Sequence, residues 1–207
     1  MKAVILRLDA PLMSFGATVV DQHGFTDIFP GKSMLTGLIA NALGWEHGDF
    51  SKLQDLQERL DYAARWDVEP IPSIDYHTVD LGSDKMRNAG WTTFGEPEHR
   101  AGGSAAKYGT HQRYRHYLED GLMTIALTIR EDEVLNTDVL LNAFKKPCRP
   151  LFVGRKTCLP ARPLLDPDMP LVEGAHLVSI LEKVPVWDRL GQPIEPGSKR
   201  HACWSDG

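Results

Sequence analysis

Tyr76, His77, Lys107, Tyr108 and His111 are residue types with which a protein can cleave RNA without a metal. That chemistry needs a general base, a general acid and a cation that stabilises the phosphorane, and tyrosine, histidine and lysine supply them. The same types in a basic stretch also serve plain RNA binding, through phosphate contacts and base stacking. Gly31-Lys32-Ser33 has the ending of a phosphate-binding loop. The full motif needs glycine five residues before Gly31, where Thr26 stands, so this reading excludes nucleotide hydrolysis. Lys32 beside the free N–H groups of a helix entrance still suits an anion. The alternative is a core helix with a solvated lysine.

Charge is distributed unevenly. The net charge of −5 argues against a nucleic-acid partner. Local sign matters more, however, and Lys145 to Leu165 holds six basic residues and no acidic one. Lys85 to Tyr117 holds six basic residues, two acidic ones and three histidines, interleaved with Trp91, Tyr108, Tyr114 and Tyr117. Acids gather at Asp49–Glu69 and Glu119–Asp138. Two positive stretches, together with these aromatic residues, suit RNA held by phosphate contacts and stacking, and the competing reading is a solvated charged surface. Met13 and Phe15, in the loop Asp9–Gly16, could stack on a base or plug a core edge.

Other chemistries find no support. There is no H-E-x-x-H, no G-x-S-x-G and no carboxylate–histidine run at metal-ligand spacing, and His201-Ala202-Cys203 is isolated. Cys148, Cys158 and Cys203 form no C-x-x-C pair, so neither a disulfide framework nor a structural zinc site is indicated. No metal or cofactor is expected. No apolar run reaches the ~18–20 residues of a membrane helix, and MKAVILRLDAP lacks the long apolar region of a secretory signal. No membrane partner is expected, and the expected compartment is cytoplasmic.

The positioning elements follow from periodicity. Ala3–Leu8 alternates as a half-buried strand. Phe29–Trp45 reads as an amphipathic helix with a stripe of Met34, Leu35, Leu38, Ile39, Ala42 and Leu43. Pro30 and Ser33 suit its entrance and Gly44 its exit. Gly37, mid-helix, costs roughly 1 kcal/mol against alanine, which points to close packing there. Ser51–Leu60 is a second helix with a Ser51/Gln54 capping-box pattern. Asp61–Glu69 alternates as a strand, its charged residues mostly outward, and Pro70 and Pro72 end it. Ser73–Asp80 and Gly121–Arg130 are strands, and Glu131–Lys146 is a helix. Leu81–Thr110 has no steady period and reads as a long arm. Leu171–Val186 is partly helical, and the tail from Leu190 shows no closing element. This order suits an α+β domain with an antiparallel, ferredoxin-like sheet and an inserted arm.

Five stretches then resemble a known family in its order. They are Leu6–Gly16 (LRLDAPLMSFG), Phe29–Gly44 (FPGKSMLTGLIANALG), Asp75–Val79 (DYHTV), His111–Leu118 (HQRYRHYL) and Pro150–Leu165 (PLFVGRKTCLPARPLL). The chain is similar to the CasD family, the fifth Cas protein of type I-E CRISPR Cascade complexes. Past about Pro170 the similarity fades. The resemblance implies a modified RNA-recognition (RRM-like) fold over residues 1–170, with a β-hairpin thumb at about 81–112 and a small extension over 171–207. It implies a non-catalytic subunit that caps the 5′ handle of the CRISPR RNA (crRNA) and joins the backbone subunits to the large subunit. Target DNA is then met through the complex. RNA-contacting residues are expected to be Met13, Phe15, Lys32, Ser33, Lys107, Tyr108, His111, Arg113, Arg115, Arg149, Arg155 and Lys156. Type I-C relatives cut RNA with tyrosine, lysine and histidine, so a metal-independent endoribonuclease using Tyr76, His77, Lys107 and His111 is the alternative.

Overall fold

The run KAVILRLD forms β1 (Lys2–Asp9), and six of its eight residues are buried. It is buried on both faces, not half-buried as alternation predicts. In a computed structural model, residues 1–80, 110–195 and 199–205 are described. They fall into two units, one of Met1–Ala17, Thr26–Ser73 and Tyr117–Gly207, the other of Thr18–Phe25 and Ile74–His116.

The first unit is built on a five-stranded sheet. Its order is β12 (Ala202–Trp204), β5 (Leu60–Val68), β8 (Leu122–Ile129), β1 and β9 (Leu171–Glu173). Every neighbouring pair is antiparallel. One face carries Val4, Leu6 and Leu8 against α1 (Lys32–Leu43), α2 (Phe50–Arg59) and α3 (Thr137–Lys145), through Leu35, Ile39, Leu56, Leu140 and Phe144. The other face carries Ala3, Ile5, Ala63 and Ala126 against α4 (Leu177–Lys183), through Leu177, Ile180 and Leu181. That second cover explains the uninterrupted burial of β1 and β8. The expected extension after residue 170 thus supplies β9, β12 and one face of the core, and β12 is the closing element the tail lacked in sequence.

Several boundaries differ from expectation for local reasons. α1 starts from Gly31, with no side-chain cap, and stops at Gly44, whose φ of 76° suits the left-handed exit. α2 starts from Asp49, and the Ser51/Gln54 box does not form: the Ser51 hydroxyl faces Asp49 and Gln54 donates to Glu58. α3 begins at Thr137 because the Asn136 side chain caps it through Val139 N–H. Glu131 and Asp132 belong to the approach. Asp132 accepts N–H bonds from Leu135 and Val134, which hold its carboxyl below the usual range. Pro72 lies inside β6 (Ile71–Asp80) instead of ending a strand.

Two of the charges expected to point outward from β5 are buried. Arg65 is 9% exposed and Asp67 0% exposed. Arg65 donates to Asp67 Oδ1 at 2.7 Å and to the carbonyls of Leu181, Val184 and Pro185. Asp67 Oδ2 accepts from Thr124 Oγ1 at 2.7 Å and from the backbone of Trp187, in β10 (Val186–Trp187), at 3.2 Å. β10 pairs with β11 (Pro193–Ile194).

In the second unit, β3 (Val19–Val20) and β4 (His23–Gly24) form a hairpin. β4 runs parallel to β7 (Thr110–Glu119), with which β6 also pairs. The expected thumb at 81–112 lies outside the described residues except for the first residues of β7. Among the described residues, no helix is long and apolar enough to cross a membrane, and no group of three metal-ligating side chains forms.

Candidate nucleic-acid interface

The basic segment from Pro147 to Leu165 is irregular, so its geometry comes from anchors. Ser14 N–H donates to Val153 O at 3.2 Å, and Val153 N–H donates to Cys158 O at 2.8 Å. The turn between them needs Gly154, at φ +95°, whose Cβ position lies 1.6 Å from Ser14 O. Cys158 is buried, and burial pushes its thiol up, which suits a packing role. This turn presents Arg155 and Lys156. The Arg155 guanidinium sits 4.9 Å over the Tyr117 ring. Lys156 is exposed, with no carboxylate partner among the described residues.

The entrance of α1 is fixed by Tyr62, whose hydroxyl donates to Pro30 O at 2.5 Å. Burial pushes that phenol up, so it stays a donor at neutral pH. Lys32 donates to Asp61 at 2.9 Å, both side chains being about a third exposed. It is therefore partnered by a carboxylate, which neither sequence reading, an anion site or a solvated lysine, included. Arg149 donates to Trp45 O and to Glu46 Oε1, each at 2.7 Å. Ser33 is exposed.

Between α1 and the basic segment lies a cleft of about 620 Å³. Met34, Gly37, Leu38 and Phe152 give it an apolar floor, and His47 and Lys156 line it with charge-bearing groups. The sequence reading expected something to pack closely on Gly37. A Cβ there meets nothing within 4 Å among the described residues. The cleft was invisible in sequence because its walls lie about a hundred residues apart; the unexplained mid-helix glycine was the available signal.

Met13 and Phe15 are corrected most sharply. They are 0% and 6% exposed and belong to the core, with the Phe15 ring 6.2 Å from that of Trp66. Neither offers a face to a base. Met13 pairs with Leu118 in the short strand β2 (Leu12–Met13), which explains why an apolar residue sits in that loop.

The second unit carries its own aromatic surface. His23 stacks on Tyr114 at 4.7 Å, Tyr114 meets Tyr76 at 5.0 Å, and Phe25 meets His116 at 4.6 Å. His23 Nδ1 and His116 Nε2 are 3.2 Å apart. Arg113 and Arg115 are exposed and alternate with these rings along β7, so they occupy its opposite face. His23 and Phe25 were not legible in sequence, since only the parallel pairing of β4 with β7 brings His23 to Tyr114 and Phe25, just beyond β4, to His116. Tyr76 and His77 are adjacent on β6 and point to opposite faces. His77 meets Asp75 at 2.5 Å, on its own face. Lys107 and Tyr108 lie outside the described residues, and His111 is described only as backbone of β7. Of the tyrosine–lysine–histidine set, only Tyr76 and His77 have described side chains, and these two do not share a face of β6.

Comparison with known proteins adds the following. Residues 3–207 match the family model described as CRISPR-associated protein (Cas_Cas5). The chain is 30% identical over 169 residues to the CRISPR system Cascade subunit CasD of Escherichia coli (strain K12), covering 78% of this chain and 68% of that protein. It is similar in structure to a chain of a CRISPR RNA-guided surveillance complex, with a TM-score of 0.63 and 26% identity over 90% of this chain and 70% of that one. A structure titled "Crystal structure of Cas protein" matches with a TM-score of 0.55 and 27% identity, covering 87% of this chain and 69% of that one.

Proposed function

Because this chain belongs to the Cas5 family of CRISPR-associated proteins, we propose that it is the RNA-binding subunit of a type I-E Cascade complex. It caps the 5′ handle of crRNA and bridges the backbone subunits to the large subunit in antiviral defence. The observation that carries the site is the Gly154 turn, which is anchored to Ser14 and presents Arg155 and Lys156. RNA phosphates lie along those two residues, with Arg149 and the Ser33 entrance of α1 beside them. In the second unit, Arg113 and Arg115 contact phosphates. The order β5-β8-β1-β9, with every pair antiparallel, supports a ferredoxin-like sheet to which β12 is added.

The double variant Arg155→Glu/Lys156→Glu tests this reading. The assembled complex is expected to lose about tenfold to a hundredfold in guide-RNA affinity at physiological salt. The slope of log affinity against log salt falls by roughly 1.4, about 0.7 per phosphate contact. Filter binding across a salt series measures both, and an unchanged slope removes these residues from the interface.

The endoribonuclease alternative has a direct test. Purified protein incubated with repeat RNA in EDTA is expected to leave the RNA intact. Sequence-specific cuts that disappear in His111→Ala establish the alternative instead.

A further inference from the structure

We propose that the cleft over Gly37 receives one unstacked base of the bound RNA. The inference rests on the RNA-binding reading and goes beyond it by assigning a base-binding subsite to this cleft. Glycine in mid-helix costs about 1 kcal/mol against alanine. Inside a chain that cost is usually offset by a close neighbour, yet here the Cβ position meets nothing within 4 Å among the described residues. What the missing side chain provides is space, and that space opens into the cleft.

The walls suit a base better than an apolar side chain. Met34, Leu38 and Phe152 supply apolar surface for its faces. Lys156 lines the cleft and lacks a carboxylate partner among the described residues. Among the described residues lining it, the carboxylate is Glu46, which is held by Arg149. Ser33 and Met34 line the same wall, in the first turn of a helix whose N-terminus has no side-chain cap. A nucleotide inserted base-first places its flanking phosphates on the lysine and those N–H groups. An apolar protein knob fills the floor but leaves the charge unmatched. The volume of about 620 Å³ lies within the range of small-molecule sites.

The test uses the assembled complex and guide RNAs that each carry one abasic nucleotide in the 5′ handle. With the unaltered protein, one abasic position is expected to weaken binding about tenfold and its neighbours little. Gly37→Leu fills the cleft while improving helix propensity. It is expected to keep or raise the melting temperature, to weaken intact RNA about tenfold, and to abolish the sensitivity at that position. A flat abasic profile with the unaltered protein overturns the proposal, as does undiminished RNA affinity in Gly37→Leu. So does a flat profile combined with failed recruitment of another subunit by Gly37→Leu, which makes the cleft a protein socket. Arg155→Glu/Lys156→Glu, run alongside, separates the levels. If it weakens every RNA equally while Gly37→Leu is silent, only the base site fails; if it too is silent, the RNA-binding reading of this face fails.

Discussion

Gly154→Ala is expected to destabilise the protein by at least about 3 kcal/mol, near the upper end for single substitutions. Two effects combine. The backbone at φ +95° is strained for any residue with a Cβ, at about 1–3 kcal/mol. The added methyl also falls 1.6 Å from Ser14 O and 2.7 Å from Ser14 C, so backbone, not a pliable side chain, must move. That backbone is held by the Ser14 N–H bond to Val153 O and lies next to Met13, which is fully buried. For a chain of this size the melting temperature should fall by about 6–12 °C. Gly48→Ala is the control, since a Cβ there meets nothing and its φ is ordinary; it should move the midpoint by less than about 2 °C. Calorimetry compares the two, and equal midpoints would falsify the anchoring role. Because the same turn presents Arg155 and Lys156, Gly154→Ala should weaken RNA binding with no charge altered.

Asp67→Ala is expected to cost about 3–5 kcal/mol, the usual result of removing one partner from a buried ion pair. Asp67 is 0% exposed and accepts from Arg65, Thr124 and the Trp187 backbone. Its loss leaves the Arg65 guanidinium nearly buried without a countercharge and the Thr124 hydroxyl without an acceptor. It also releases the segment around Trp187, which should be cut faster by protease under native conditions. Arg65→Met/Asp67→Leu is expected to recover part of the loss, because replacing both charges removes the uncompensated one. If Asp67→Ala melts within about 2 °C of the parent, the network does not hold the C-terminal segment.

The difference between these residues and their expected roles shows what periodicity conveys. The stripe of α1 and its Gly44 exit were legible because both are local: residues three and four apart share a face, and a left-handed exit favours glycine. Alternation in β5 located the strand, and Arg65 and Asp67 do lie on one face. Their burial was not legible, because α4, which covers that face, comes over a hundred residues later. Lys32 read as a free cation for the same reason, its partner Asp61 being 29 residues away. Met13 and Phe15, in a loop, could be read as stacking on a base or as plugging a core edge, and local sequence does not choose between the two. Pairing with β7 and packing on Trp66 put them inside. At the candidate site, the basic composition of Pro147–Leu165 was visible, but the cleft it forms with α1 was not.

The position of β12 in the chain bears on when its contacts are expected to form. Cys203 pairs with Ala64 across most of the sequence, so this contact closes one of the longest loops in the fold. Long loops are costly to close and their contacts form late. Until residues 202–204 arrive, β5 presents an open edge of unpaired N–H and C=O groups, in a strand rich in alanine and aromatic residues. Such an edge recruits other chains. A change that detaches the three residues of β12 is therefore expected to expose this edge and promote self-association during refolding, with Arg155 and Lys156 unaltered.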